Sequence, residues 1–165
     1  MAVTRNLRDG VIIIKDGSGS PKSMTVPISE GDLAFTVNKP TFIVLNRGVI
    51  DSRKSGDQTP TDVSFSAKFE QWSYASGAST GLSVRDVIDG SAAALAAGWV
   101  STDACGPWSI DIEFRINDPC NSGHYESLTF QKYHADTIGF REGNEYNSLS
   151  ISGRALVPEP VRTYV

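Results

Sequence analysis

The sequence predicts an all-β protein with one short α-helix, arranged as two packed antiparallel sheets in a sandwich or barrel. Apolar residues recur with a period of two in most segments, most clearly Trp108, Ile110, Ile112, Phe114 and Ile116 against Ser109, Asp111, Glu113 and Arg115. Clusters of Gly, Asn, Asp and Ser separate these segments at short intervals, with no alternation of strand and helix. Only GLSVRDVIDG carries helix start and stop signals. The 165 residues suit a single domain, long enough to bury about two-thirds of the unfolded surface.

Taken in order, Val11 to Lys15 is a β-branched run, DGSGSP is a turn cluster, and Ser23 to Ile28 returns, so the first unit reads as a hairpin. Leu33, Phe35 and Val37 then alternate with Ala34, Thr36 and Asn38. After Pro40, TFIVLNRGVI is more continuously apolar and reads as a strand buried on both faces. Asp51 to Thr61, rich in Ser, Gly, Asp and Lys, reads as a long surface connection. The next stretch, DVSFSAKFEQW, sets Val63, Phe65, Ala67 and Phe69 on one side and Ser64, Ser66, Lys68 and Glu70 on the other.

Helix signals follow. Ser83 can cap, Asp86 stands where a capping-box partner would, and Leu82 with Val87 would close a hydrophobic staple. Val84, Val87 and Ile88 share a face, and Gly90 ends the segment. The small-residue run SAAALAAGW is open between a second helical turn and a close-packed loop. Beyond the strand from Trp108 to Ile116, the pairs Leu128 and Phe130, Ile138 and Phe140, and Leu149 and Ile151 mark three more strands. Residues 1–9 and 158–165 read as an N-terminal and a C-terminal arm around a body at 10–157, the latter because Pro158 and Pro160 favour extended chain.

Nothing in this pattern nominates a catalytic, cofactor-binding or metal-binding residue, and a non-enzymatic protein is expected. DGSGSP lacks the Lys-Ser/Thr ending and the following helix of a phosphate loop. No Gly-x-Ser-x-Gly elbow occurs, and His124 and His134 are the two histidines available to a triad. Cys105, Cys120 and these histidines lack the tight pair that announces structural zinc. The two cysteines flank a strand whose ends stand about 30 Å apart, so free thiols are expected. Asp111 and Glu113 lie about 7 Å apart on one strand face, a glycosidase-like spacing. Arg115 continues that face, which reads more simply as a solvated or cross-subunit charge ladder. Trp72, Trp99 and Trp108 suggest the alternative of a monomeric glycan-binding sandwich. A net charge of −4 is the wrong sign for gripping nucleic acid, and no apolar run is long enough for a membrane-spanning helix. The polar start MAVTRNLRDG gives the expectation of no export signal.

The order of DGSGSPKSMTVP, EGDLAFTV, LNRGVIDSRKSGDQTPTDVSFSAKFEQW, GLSVRDVIDG, GWVST, WSIDIEFRI and ESLTFQK resembles the tail tube (major tail) proteins of long-tailed bacteriophages over roughly residues 10 to 157. The resemblance implies two sheets with a flanking helix, here Ser83, Val84, Asp86, Val87 and Ile88. Six copies would close into a ring around a shared inner β-barrel, and rings would stack into the tail of a virion assembled in the host cytoplasm. The implied partners are other copies, further tail proteins and the tape-measure protein, with duplex DNA passing unbound through the lumen. Thr36, Ser64, Ser66, Lys68 and Glu70 would then face the lumen. Lys68 would need a carboxylate beside it, because cations bind phosphate. Arg47, Asp51, Arg53, Lys54 and Asp57 would lie on a loop reaching the next ring. Six chains give 6 × (−4) = −24 per ring. A tube of a related bacterial contractile injection or secretion system would look the same in sequence.

Overall fold

The computed structural model describes residues 10–27, 33–69, 82–118, 123–143 and 145–165. Ten strands and two short helices follow in the order β1 (Gly10–Lys15), β2 (Ser23–Val26), β3 (Ala34–Thr36), β4 (Thr41–Asn46), β5 (Val49–Ser55), β6 (Thr61–Lys68), α1 (Val84–Asp89), α2 (Ala92–Ala96), β7 (Ile110–Asn117), β8 (Tyr125–Arg141), β9 (Ser148–Ala155) and β10 (Val161–Tyr164). All described pairings are antiparallel. The expectation of an all-β chain with two antiparallel sheets and little helix holds. The small-residue run resolves into a second helical turn, α2, capped by Ser91.

The larger sheet runs β2-β1-β7-β8-β9-β6-β3, and β10 pairs with β8. Strand β8 is 17 residues long and organises it. Its first half lies between β7 and β10, and its second half pairs with β9 after a register shift between Ala135 and Thr137. The sheet curls until Lys68 N–H donates to the Pro27 carbonyl at 2.7 Å, joining β6 to the residue after β2. Ile12, Ile14, Phe65, Ile112, Phe130 and Tyr133 line the enclosed core, each at most 2% exposed. Burial pushes the Tyr133 hydroxyl well above its ordinary range, and the Asp136 charge adds to that.

Helix α1 closes over this interior. Ser83 Oγ accepts from Asp86 N–H at 3.1 Å and Asp86 Oδ2 accepts from Ser83 N–H at 3.2 Å, the reciprocal capping box that the sequence spacing predicts. Val84, Val87 and Ile88 face the core, and Trp108 Nε1 donates to the Val87 carbonyl at 2.8 Å. Gly90 caps the helix with φ +62°.

Two expectations fail in the segment from 41 to 61. TFIVLNRGVI is not one strand buried on both faces. It is β4, a two-residue turn and the start of β5, forming a separate two-stranded sheet whose residues take no part in the core. Arg47 and Gly48 both have positive φ, 48° and 84°, as a tight hairpin turn with the twist of its strands requires. The connection from Asp51 is therefore strand as far as Ser55, and only the residues beyond it are irregular. An apolar run reads the same whether its own chain or another molecule covers it.

At the β8–β9 register shift the strands approach closely. A Cβ on Gly153 would stand 2.1 Å from the His134 carbonyl oxygen and 2.8 Å from the Ala135 Cα, both backbone atoms that cannot rotate away. Gly153→Ala is expected to cost about 3 kcal/mol, as overpacking does, and to lower the melting temperature by roughly 6–12 °C in calorimetry. An unchanged melt would mean that the strands separate there at no cost.

Candidate functional site

Two surfaces stand out, and cross-strand register builds the first. Directly opposed residues of antiparallel strands share a face, so the polar side of β6 extends across β3, β9 and the second half of β8. One row is Thr36, Asp62, Arg154 and His134, and the next is Ala34, Ser64, Ser152 and Thr137. Ser66, Ser150 and Gly139 form the third, and Lys68, Ser148 and Arg141 the fourth. The opposite side of the same strands carries Val63, Phe65, Ala67, Leu149 and Ile151, all buried. The alternation visible in β6 thus belongs to a four-stranded wall with a dry side and a hydroxyl-lined side.

Charge is confined to the two ends of this wall. At one end Arg154 donates through Nε to Asp136 Oδ2 at 2.9 Å, and Asp62 accepts from Asn38 Nδ2 at 3.3 Å. The Arg154 hydrogen bond holds the Asp136 carboxyl below the usual range, and Arg154 is held above its own. At the other end Lys68 sits over the Tyr146 ring, 5.1 Å from its centroid, beside Arg141 in the fourth row. Among the described residues Lys68 thus meets an aromatic face, and Glu70, the carboxylate two residues on, lies outside them. Between the ends, the two middle rows carry Ser, Thr, Ala and Gly without a formal charge.

The second surface is the β4–β5 arm. Opposed pairs put Ile43 with Arg53 and Leu45 with Ile50 on one face, and Phe42 with Lys54 and Val44 with Ser52 on the other. A register shift between Val44 and Leu45 leaves Asp51 as the extra residue of a bulge. Phe42 and Ile43 are 52% exposed, Leu45 59%, Val49 69% and Ile50 68%. Large apolar side chains at such exposure on both faces of one arm are unusual for a protein that works alone. Two strands by themselves are marginal in water.

Of the residues expected to share a lumen wall, Thr36, Ser64, Ser66 and Lys68 do lie on one face, and Glu70 lies outside the described residues. Of those expected on a loop, Arg47 is at the arm's turn, Asp51, Arg53 and Lys54 are on β5, and Asp57 follows it. All but Asp57 belong to the strand pair and its turn; Asp57 alone lies in the irregular stretch after β5. The Ser83–Ile88 segment, expected to flank the sheets, is a helix whose Ser83, Val84, Val87 and Ile88 are all buried. Sequence reasoning missed Ser148, Ser150 and Ser152, which complete the hydroxyl wall. Their Ser-x-Ser-x-Ser spacing was the available signal.

Asp111, Glu113 and Arg115 are not a solvated ladder. Glu113 is 3% exposed, accepts from Arg115 Nε and Nη2 at 3.0 and 2.9 Å, and pairs through its other oxygen with Lys15. Arg115 in turn lies over the Tyr125 ring at 4.2 Å. Burial pushes the Glu113 carboxyl up, but hydrogen bonds and charge from Lys15 and Arg115 outweigh it and leave it below the usual range. Asp111 goes the other way, raised by burial despite the Lys132 backbone N–H at 2.9 Å. A depressed carboxylate stabilises the fold above its unfolded pKa, and that contribution disappears as pH falls through the folded value. Glu113→Gln should therefore cost about 3 kcal/mol at pH 7 and weaken the loss of stability between neutral pH and pH 3. Denaturant titrations across that range measure both, and an unchanged pH profile would contradict the assignment.

Trp99 is buried and the Trp108 ring packs on Gly90, so neither offers a sugar platform; Trp72 lies outside the described residues. Cys105 is exposed and Cys120 lies outside the described residues. Among the described residues no group of three or more His, Cys, Asp or Glu side chains is placed to hold a metal ion, and no helix is long and apolar enough to cross a membrane.

No family model matches the sequence, and no curated protein does. Among solved structures, a chain of "Cryo-EM structure of the anti-feeding prophage (AFP) baseplate, 6-fold symmetrised" superposes with a TM-score of 0.46 at 7% identity, covering 100% of this chain and 95% of that one. A likeness of that degree carries no weight for function.

Proposed function

We propose that this chain is a non-catalytic structural subunit that assembles with copies of itself into rings and then a tube of the phage-tail type, with the hydroxyl wall of β3, β6, β9 and β8 turned toward the bore. The observation that carries self-assembly is the β4–β5 arm, whose Phe42, Ile43, Leu45, Val49 and Ile50 lie outside the core and mostly open to water. Burial of apolar surface stabilises by about 25 cal/mol per Å². An arm that gains less than half of this within its own chain gains the rest in an assembly. The sequence resemblance to tail tube proteins supports the tube, with tape-measure protein and then duplex DNA as its contents.

The wall suits that role physically. A polyanion that must slide should find few cations, since each phosphate contact with Lys or Arg adds counterion-release affinity. Ser64, Ser66, Ser150, Ser152 and Thr137 offer hydroxyls that water satisfies equally well. The charges that exist stand at the ends, and Arg154 is engaged by Asp136. Light scattering on the purified chain as a function of concentration tests the proposal. Growth to multiples of the 17.8 kDa chain supports it, and a constant monomer mass at every concentration overturns it.

A further inference from the structure

Strand β8 belongs to both halves of the large sheet: β7 pairs with it from Tyr125 to Tyr133, and β9 from Tyr133 to Arg141. The half against β9 continues into β6 and β3 as the hydroxyl wall, and the half against β7 continues into β1 and β2 as the body. The angle between wall and body is therefore set within β8, and where the halves meet the strand carries two extra residues. Gln131 and Lys132 together oppose Asp111 of β7, and Asp136 stands unopposed between the pairs Ala135–Gly153 and Thr137–Ser152 with β9. A bulge bends its strand and increases the local twist, and sheets use bulges to curve toward closure. We infer that this double bulge fixes the curvature with which subunits close into a ring, and that Asp111 is the positioning residue that holds it. The inference rests on the reading that the protein forms rings, and it names what sets their size.

Lys132 has φ +51°, and among the described residues Arg47 is the other non-glycine residue with a positive φ. Glycine usually takes the left-handed position of a bulge, so a lysine there is strained and persists because its surroundings hold it. Asp111 supplies that hold: its Oδ1 accepts the Lys132 N–H at 2.9 Å, while Leu156 N–H donates to the Lys132 carbonyl at 3.3 Å. The second bulge is fastened separately, by Arg154 of β9 donating through Nε and Nη2 to the Asp136 carboxylate at 2.9 and 3.4 Å. Between the two, His134 Nδ1–H donates to the Trp108 carbonyl at 2.7 Å and ties the bend to the residues before β7. Small changes in this bend are enough to matter. Neighbouring copies turn by about 60° in a ring of six and about 51° in a ring of seven, so a shift of about 9° changes the count. Without the Asp111 carboxylate the Lys132 N–H loses its partner, and the strained backbone relaxes to other angles.

The test counts the rotational symmetry of rings in end-on electron-microscope views of the unaltered chain and of full-length Asp111→Ala and Asp111→Asn. The unaltered chain is expected to give rings of one size and Asp111→Ala rings of two or more. Asp111→Asn, whose amide oxygen accepts the same N–H, is expected to return to one size. A bond that only stabilises the fold would lower the melting temperature of Asp111→Ala and leave the symmetry alone. Rings of the unaltered size alone from a folded Asp111→Ala, or no rings from it, therefore overturn the inference while leaving self-assembly standing. Mixed sizes from Asp111→Asn or from the unaltered chain do the same. An unaltered chain that never leaves 17.8 kDa overturns both readings. Should Asp111→Ala lose its circular dichroism signature, Arg154→Ala decides instead, because the Arg154 side chain is 58% exposed and its loss spares the core. Mixed ring sizes are expected from that variant, and a single unaltered size counts against the bulge as the determinant.

Discussion

Leu45→Asp/Ile50→Asp is expected to abolish assembly while leaving the subunit as stable as before. Both side chains are well over half exposed, so exchanging them costs the isolated fold within about 0.5 kcal/mol. In an assembly the same positions are buried, where each lost side chain forfeits about 1.5–3 kcal/mol. Each new carboxylate, moreover, enters an apolar contact without a partner. A combined loss of about 4 kcal/mol per contact is roughly a thousandfold in association. Scattering should report 17.8 kDa at concentrations where the unaltered chain grows, with superimposable thermal melts. Growth of the double variant would show that the arm is not the contact.

Ser66→Arg/Ser150→Arg is expected to turn an inert bore into a nucleic-acid trap. The two residues face each other on β6 and β9 in a row with no charge. In a six-membered ring they add 2 × 6 = 12 positive charges around the wall. Each neutralised phosphate steepens the salt dependence by about 0.9 in log K per log salt. Tubes formed from the variant with short duplex DNA present should retain it at low salt and release it steeply as salt rises. Because the added arginines would lie inside, the retained DNA should resist nuclease. Retention of DNA that nuclease digests freely would put this face on the outside. Unaltered tubes should retain none.

The sequence read well wherever a side-chain period reported on the protein's own core. Val63 to Ala67, Ile110 to Ile116 and the Ser83–Asp86 cap are each decided by neighbours within the chain, and each took the predicted form. It read poorly where the chain itself supplies little cover. TFIVLNRGVI is as apolar as an interior strand, so periodicity assigned it to the interior, and only the turn at Arg47 and Gly48 signals a hairpin. Glu113 shows the opposite error. Its charge suggested solvent, but Lys15 from β1 and Arg115 surround it, and a pairing between strands distant in sequence is invisible to a window on one strand. The hydroxyl wall was half legible for the same reason: β6 displayed its alternation, and only the β6–β9 register brought Ser148, Ser150 and Ser152 into line.

Electron microscopy of the purified, concentrated chain puts the proposed architecture to its most direct trial. If the proposal holds, closed rings of uniform bore stack into hollow tubes, with Ser66 and Ser150 of every subunit bordering the channel in the reconstructed density. Images holding only compact single subunits, or an assembly in which those serines face the surrounding solvent, would contradict the account.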